Sequence, residues 1–346
     1  MGATGEARAP SLERSAALDG IRGIAIGLVL VAHYSEPWSE SLQPLGVLGV
    51  GIFFTLSGYL ITAILLRERD LRDRVDFGAF YVRRAARLLP ALMTMLAATV
   101  VVGYATWGER GAAMLYFMNW KEASAGRSGG LSFTWSLSIE EQFYLVWPVV
   151  MLAALRLRGR RGVIRMAVAG AAVSIGLRTL LYDGSAEAAI QVSRWTFTQM
   201  DGLLAGCALA AIGAGRNKPL AAGALIMLGV VGAVATPAWQ ATTATIATVT
   251  GAGAIYLVAG GSGGWLRSRL LGWLGTRSYA IYLWHLPVVI VLLRYLSVGP
   301  AILLAIVCTG CIAEASWRLV ERPILQAARL RLARREPAPV VVAATS

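Results

Sequence analysis

"GIRGIAIGLVLVAHYSE", residues 20–36, is an apolar run carrying Arg22 near one end and His33 near the other, with nothing ionisable between them. Eleven residues at about 100° each make three turns plus roughly 20°, so both side chains share one face of a helix. They stand about 16 Å apart along its axis. The chain has only two histidines. His33 reads either as a residue at the water interface, where it costs little, or as a functional group held at depth, where an ionisable side chain is expensive.

The rest of the chain has the same character. Of its 346 residues 57% are hydrophobic and 15% charged, against about a quarter charged in soluble domains. Long apolar stretches recur from end to end, so lipid is the solvent for most of the chain. The expected fold is all-α: a polytopic transmembrane helix bundle of about ten helices. Their expected ranges are 18–37, 45–66, 88–107, 133–155, 163–181, 196–213, 219–236, 241–259, 278–296 and 300–319. With the N-terminus in the cytoplasm, only six of the 32 Lys and Arg fall outside the cytoplasmic segments: Arg110, Lys121, Arg127, Arg178, Arg194 and Arg294. That asymmetry follows the positive-inside rule and puts both termini in the cytoplasm of a multi-pass cell-membrane protein. Residues 1–17 are expected as a cytoplasmic tail, 18–323 as the membrane domain and 324–346 as a second cytoplasmic tail. The first apolar segment lacks a small-residue cleavage site and is expected to remain as an anchor.

The net charge of +13 does not indicate nucleic acid, because the arginines sit in short segments between apolar runs, facing anionic headgroups. Cys207, Cys308 and Cys311 lie inside apolar stretches. Cys308 and Cys311 have CxxC spacing, but no second pair or nearby histidine completes a metal site, so small, buried, reduced thiols are expected and no metal.

Polar groups inside the apolar runs are the informative ones. In "SYAIYLWHLP", Ser278, Tyr282 and His285 form one stripe at i, i+4, i+7, which either bonds neighbouring helices or lines a substrate path. In "FTWSLSIEEQFYLVWP", Ser136, Glu140 and Tyr144 share a face, with Glu141 beside them. A carboxylate there can orient an imidazole, pair with an arginine, or be purely structural. Asp201 in "FTQMDGLLAG" is placed similarly. Glu314 and Arg318 are spaced for a salt bridge. In "FYVRRAARLLPAL", Arg83, Arg84 and Arg87 make a compact cationic face just before the third expected helix. Converging arginines also hold phosphate groups, so a phosphate-bearing cytoplasmic donor fits this surface.

Six stretches in order make the chain resemble the acyltransferase 3 family of integral membrane O-acyltransferases. They are "LDGIRGIAIGLVLVAHY", "GVGIFFTLSGYLIT", "FYVRRAARLLPAL", "FTWSLSIEEQFYLVWP", "SYAIYLWHLP" and "LVERPI". The resemblance implies transfer of a short acyl group, most commonly acetyl from acetyl-CoA, to a hydroxyl of a sugar or glycosylated product. Acyl-CoA would be a co-substrate, with no permanently bound cofactor. Carried onto this sequence, His33 is the catalytic base and Arg22 its motif partner. Arg83, Arg84 and Arg87 engage the CoA phosphates, and Glu140 and Glu141 match the acidic motif. One position departs from the pattern: Gln199 stands where an arginine is expected two residues before Asp201, which leaves Asp201 without its expected partner. The chain also carries no fused hydrolase-like domain, so the membrane domain is expected to act alone or to hand its acyl group to a separate protein.

The chemistry is consistent with that reading. A sugar hydroxyl attacks a thioester poorly until a base removes its proton, and histidine has a suitable pKa for the task. The expected route has the pantetheine arm threading the bundle from the arginines to His33. Acyl transfer through His33 or through Ser57 in "FFTLSGYL" are variants of it. The competing class is a membrane transporter using buried His, Glu and Asp as a proton relay, which leaves the arginine trio unexplained.

Overall fold

The structure, a computed structural model, describes residues 16–125, 129–213, 239–259 and 264–334. The described residues are helical and contain no strand. The helix expected over 219–236 lies outside them. Five helical stretches are long and apolar enough to cross a membrane, and two shorter apolar helices, Asp201–Ile212 and Ala244–Val258, accompany them.

The chain divides into two compact units. The first comprises Met1–Arg74 and Ala105–Ser278. Its centre is α2 (Gln43–Arg72), packed by α1 (Ala16–Ser35). Two short helices, α4 (Trp107–Met114) and α5 (Met118–Ala125), precede the long α6 (Trp135–Leu181). The unit continues with α7 (Ala186–Arg194), α8 (Asp201–Ile212) and α9 (Trp239–Ala259). The second unit comprises Val75–Tyr104 and Tyr279–Ser346. It holds α3 (Phe77–Val101), the later part of α10 (Arg269–Leu292), α11 (Val298–Ser316) and α12 (Arg322–Ala333). A π-helical turn, Trp317–Glu321, joins the last two.

Small residues set the packing of the first unit. A Cβ added to Gly58 would fall 1.8 Å from the Leu203 carbonyl oxygen, and one on Gly206 would fall 1.9 Å from that of Thr55. So α2 and α8 meet backbone to backbone, the close approach that small residues permit between helices in lipid. Around this seam Leu18, Ile21, Ile52, Leu56 and Leu209 form one buried cluster.

The 47 residues of α6 would extend about 70 Å as a straight helix, more than twice a bilayer core. They are not straight. Arg158 and Gly159 leave helical geometry, Gly159 at φ 59°, ψ −158°, a region open essentially only to glycine. A Cβ on Gly162 would sit 2.6 Å from the Ala154 carbonyl oxygen, although eight residues of straight helix span about 12 Å. The chain therefore reverses at 158–159. This joins the expected stretches 133–155 and 163–181 with almost no loop.

Three other boundaries differ from expectation. The third helix starts at Phe77, not near 88, because Asp76 caps it by accepting from the Ala79 N–H at 2.8 Å. Arg83, Arg84 and Arg87 thus lie within α3 rather than before it. Helices α4 and α5, too polar to be read as spans, were not anticipated. Helix α12 continues through residues 324–333 of the segment expected as a C-terminal tail. Of the thiols expected to be buried only Cys207 is fully so; Cys308 is half-buried and Cys311 exposed.

Candidate active site

In α1, Arg22 donates to Asp19 at 2.8 Å. Asp19 is itself buried, and its place three residues before the arginine in "LDGIRG" was the overlooked signal. His33 lies eleven residues on in the same unbroken helix and is half-buried. Depth along α1 can be read from α2, which runs antiparallel to it. A Cβ on Gly46 would touch Ala32, and one on Gly49 would meet Ala25 and Val29. His33 therefore lies at about the depth of residues 44–45 of α2, while Arg22 lies at about that of Thr55, within one turn of Ser57.

Ser57, on α2, donates to Glu140 Oε1 in a short hydrogen bond, and the Tyr144 hydroxyl donates to the same oxygen at 3.1 Å. The expected stripe on α6 thus exists between Glu140 and Tyr144, and across helices Glu140 meets the Ser57 hydroxyl. Two turns further along, Trp147 Nε1 donates to Thr62 Oγ1 at 2.8 Å, continuing the α2–α6 contact. Glu141, beside Glu140, is half-buried.

Asp201, at the start of α8, has a partner after all. Arg178, from the second half of α6, donates to both its carboxylate oxygens at 3.0 and 3.2 Å, and also to the Thr198 carbonyl and Thr245. Thr248 donates to Asp201 Oδ2 at 3.2 Å. Arg178 is 1% and Asp201 2% exposed. Gln199 instead donates to the Val192 carbonyl. The arginine missing two residues upstream is supplied from 23 residues upstream.

Beside this ion pair opens a narrow cleft of about 300 Å³, lined by α2 from Val47 to Phe54, by Trp135, Gln199, Asp201 and Thr248. Its near end, at Val47, is less than one helical turn from the depth of His33. Trp135 is held edge-on by Phe54, with ring centroids 6.3 Å apart, and by the Arg194 guanidinium 4.5 Å from its ring centre. Next to it a network ties α5, α6 and the turn before α8 together. Asn119 donates to Thr196 and to the Arg194 carbonyl, and Gln142 to Asn119 and to the Tyr116 carbonyl.

Near the start of α4, Thr106 and Glu109 form a reciprocal cap. Burial works against ionisation of Glu109, but hydrogen bonds from Thr106 and the Leu131 N–H, with the charge of Lys121, outweigh it and hold its carboxyl below the usual range.

In the second unit Arg83, Arg84 and Arg87 lie on one side of α3, Arg87 exposed and the other two half-buried. Tyr279 donates to the Leu88 carbonyl at 3.0 Å, fixing α10 against α3 one residue beyond this trio. His285 is fully buried and its Nδ1 lies 2.6 Å from the Tyr282 carbonyl, while in the first unit Ser278 donates to the Gly275 carbonyl. Ser278 and His285 thus bond backbone carbonyls of their own helix. Arg318 pairs with Glu314 at 2.5 Å as the spacing predicted.

The sequence of the chain has known relatives. A sequence model of the acyltransferase domain of the acyltransferase 3 family matches residues 15–314. YrhL of Bacillus subtilis strain 168 is 32% identical over 89% of this chain and 54% of its own length. The peptidoglycan O-acetyltransferase OatA of Listeria monocytogenes is 31% identical over 89% of this chain and 55% of its own. The O-acetyltransferase OatA of Staphylococcus aureus strain NCTC 8325 is 27% identical over 89% and 56%. The chain thus spans about half the length of these relatives. No solved structure matches it. Because the match runs unbroken from α1 to Glu314 and takes in both Arg22 and His33, the chain belongs to the acyltransferase 3 family.

Proposed function

We propose that this protein is a multi-pass membrane O-acetyltransferase that moves an acyl group, acetyl foremost, from acyl-CoA to a hydroxyl of a cell-envelope carbohydrate. The observation that carries the reading is the half-buried His33 on the Arg22 face of α1, within a domain matched from residue 15 to 314. The names of the relatives, peptidoglycan and O-acetyltransferases, support a glycan acceptor.

In this mechanism His33 removes the proton of the acceptor hydroxyl as its oxygen attacks the thioester carbonyl. The C–S bond breaks, and the imidazolium returns the proton to the departing CoA thiolate. Arg83, Arg84 and Arg87 hold the donor's phosphates through charge-assisted hydrogen bonds. Arg22, fixed by Asp19, keeps a cation on the His33 face. Glu140 fixes Ser57 and so the register of α2 on α6. About ten spans with both termini inside place the arginines on the cytoplasmic side, where acyl-CoA is made.

The test uses membranes containing the protein, labelled acetyl-CoA and soluble peptidoglycan fragments. Wild type is expected to move label to the fragments, and His33→Ala to lose about 10²–10⁴-fold of that rate, the scale of a general base. Equal transfer by both proteins would return His33 to a packing role.

A further inference from the structure

The cleft beside Asp201 has no part in the proton transfer just described, yet its composition is selective. Its walls are mostly apolar, and its enclosed part has room for one group about the size of a water molecule, the rest of the cleft being open. Three polar side chains reach it: Gln199, Asp201 and Thr248. The Asp201 carboxylate offers about four lone-pair sites. Arg178 takes two and Thr248 a third. One acceptor site is left on a carboxylate that lines the cleft.

That vacancy discriminates between ligands. A thioester carbonyl is an acceptor only and gains nothing from a carboxylate. A hydroxyl donates to it and gains a charge-assisted bond. An anionic group is repelled by the Asp201 carboxylate, and four of the five Arg178 N–H groups are committed to Asp201, Thr198 and Thr245, leaving only the buried Nε–H. Trp135, immobilised by Phe54 and Arg194, supplies the flat apolar wall against which the C–H face of a sugar ring packs. An aromatic wall, a carboxylate acceptor and an amide within one narrow cleft are the elements that recognise a neutral polyhydroxyl compound. The cleft also begins within one turn of His33's depth, and its enclosed space is too small for a whole ring.

We infer that this cleft is the acceptor subsite: one hydroxyl-bearing arm of a neutral sugar inserts to meet Asp201, while the ring lies against Trp135. Gln199 and Thr248 then select the arm, and Arg178 is a positioning residue that aims the Asp201 carboxylate. The inference rests on the O-acetyltransferase reading for the identity of the sugar as acceptor, but sugar binding is measurable without turnover.

The experiment uses the purified full chain in detergent, with N,N′-diacetylchitobiose, a soluble neutral disaccharide, as probe. Contact with the sugar is followed by saturation-transfer NMR, and acetyl transfer is assayed in parallel. Two variants are compared with wild type: Val50→Phe, which fills the cleft from α2, and Thr248→Val, which keeps shape and removes one hydroxyl. The expected result is sugar contact in wild type, lost in Val50→Phe and weakened in Thr248→Val. The acceptor KM should rise about tenfold or more in Val50→Phe with the acetyl-CoA KM unchanged. Wild-type binding without transfer would overturn the enzymatic reading and leave the sugar subsite standing. Transfer with unchanged acceptor KM and unchanged sugar contact in both variants would overturn the subsite and leave the enzyme. A fall in kcat alone would mark the cleft as packing, and absence of both binding and transfer in wild type would overturn both.

Discussion

At the scale of single residues, the buried pair Arg178–Asp201 is the most consequential contact in the first unit. Removing one partner of a buried ion pair leaves an uncompensated charge and costs about 3–5 kcal/mol, whereas replacing both is far milder. Arg178→Met should therefore lower the unfolding midpoint in detergent sharply, and Arg178→Met combined with Asp201→Asn should recover most of it. The double variant should still lack the acceptor contact, so stability and activity separate. Glu109 makes a pH-dependent contribution. Its folded pKa lies below the ordinary 4.5, so the stability it adds is present above that value and fades as pH falls through its lower folded value. Wild type should exceed Glu109→Gln in thermal stability at neutral pH, with the gap closing below the usual carboxylate range.

Local spacing revealed contacts within one helix and missed those between helices. Glu140–Tyr144 and Glu314–Arg318 are four residues apart and were legible. Arg178 was not, since nothing in periodicity says that an arginine on one helix reaches a carboxylate 23 residues later. Ser57 was visible only as a hydroxyl in an apolar run; its bond to Glu140 spans 83 residues.

At the scale of elements, the α2–α8 seam makes a quantitative claim. A Cβ on Gly206 would need Thr55 backbone to move, whereas one on Gly253 meets nothing within 4 Å. Gly206→Ala is expected to lose about 1–3 kcal/mol, the usual cost of overpacking, and Gly253→Ala to stay near wild type, both by thermal unfolding in detergent. Helix existence followed from hydrophobic runs, but boundaries did not. The start of α3 is set by the Asp76 cap, twelve residues before the apolar run that begins at Leu88. The arginines between them suggested a loop because charge and helix are easily taken as alternatives, although arginine is a good helix former. Helices α4 and α5 owe their place to buried polar contacts such as Asn119 and Glu122, which hydropathy scores as solvent-facing.

At the scale of the whole molecule, the distribution of basic residues predicts topology. Reporter fusions at residue 334 should report the cytoplasm, and a cysteine or tag placed at 104–106 the opposite side. An odd number of crossings would reverse the first result. The reversal at Gly159 accounts for two of the expected spans within one continuous helical stretch, while the span at 219–236 lies outside the described residues. Taken together, composition and motif order were enough for the all-helical class and the family. The cleft needed three dimensions, because its walls come from α2, α6, α8 and α9.

The Arg178–Asp201 pair also constrains how the protein is made. Arg178 stands in the last turn of α6, and its counter-charge is not yet synthesised when that half-helix leaves the ribosome. At 5–20 residues per second, Asp201 follows within roughly one to five seconds. During biogenesis the pair can close only after α8 has arrived, and the second half of α6 carries an uncompensated cation until then. Ser174→Cys should react with a water-soluble maleimide in nascent chains arrested before α8 has emerged, and be shielded once α8 has packed on α6.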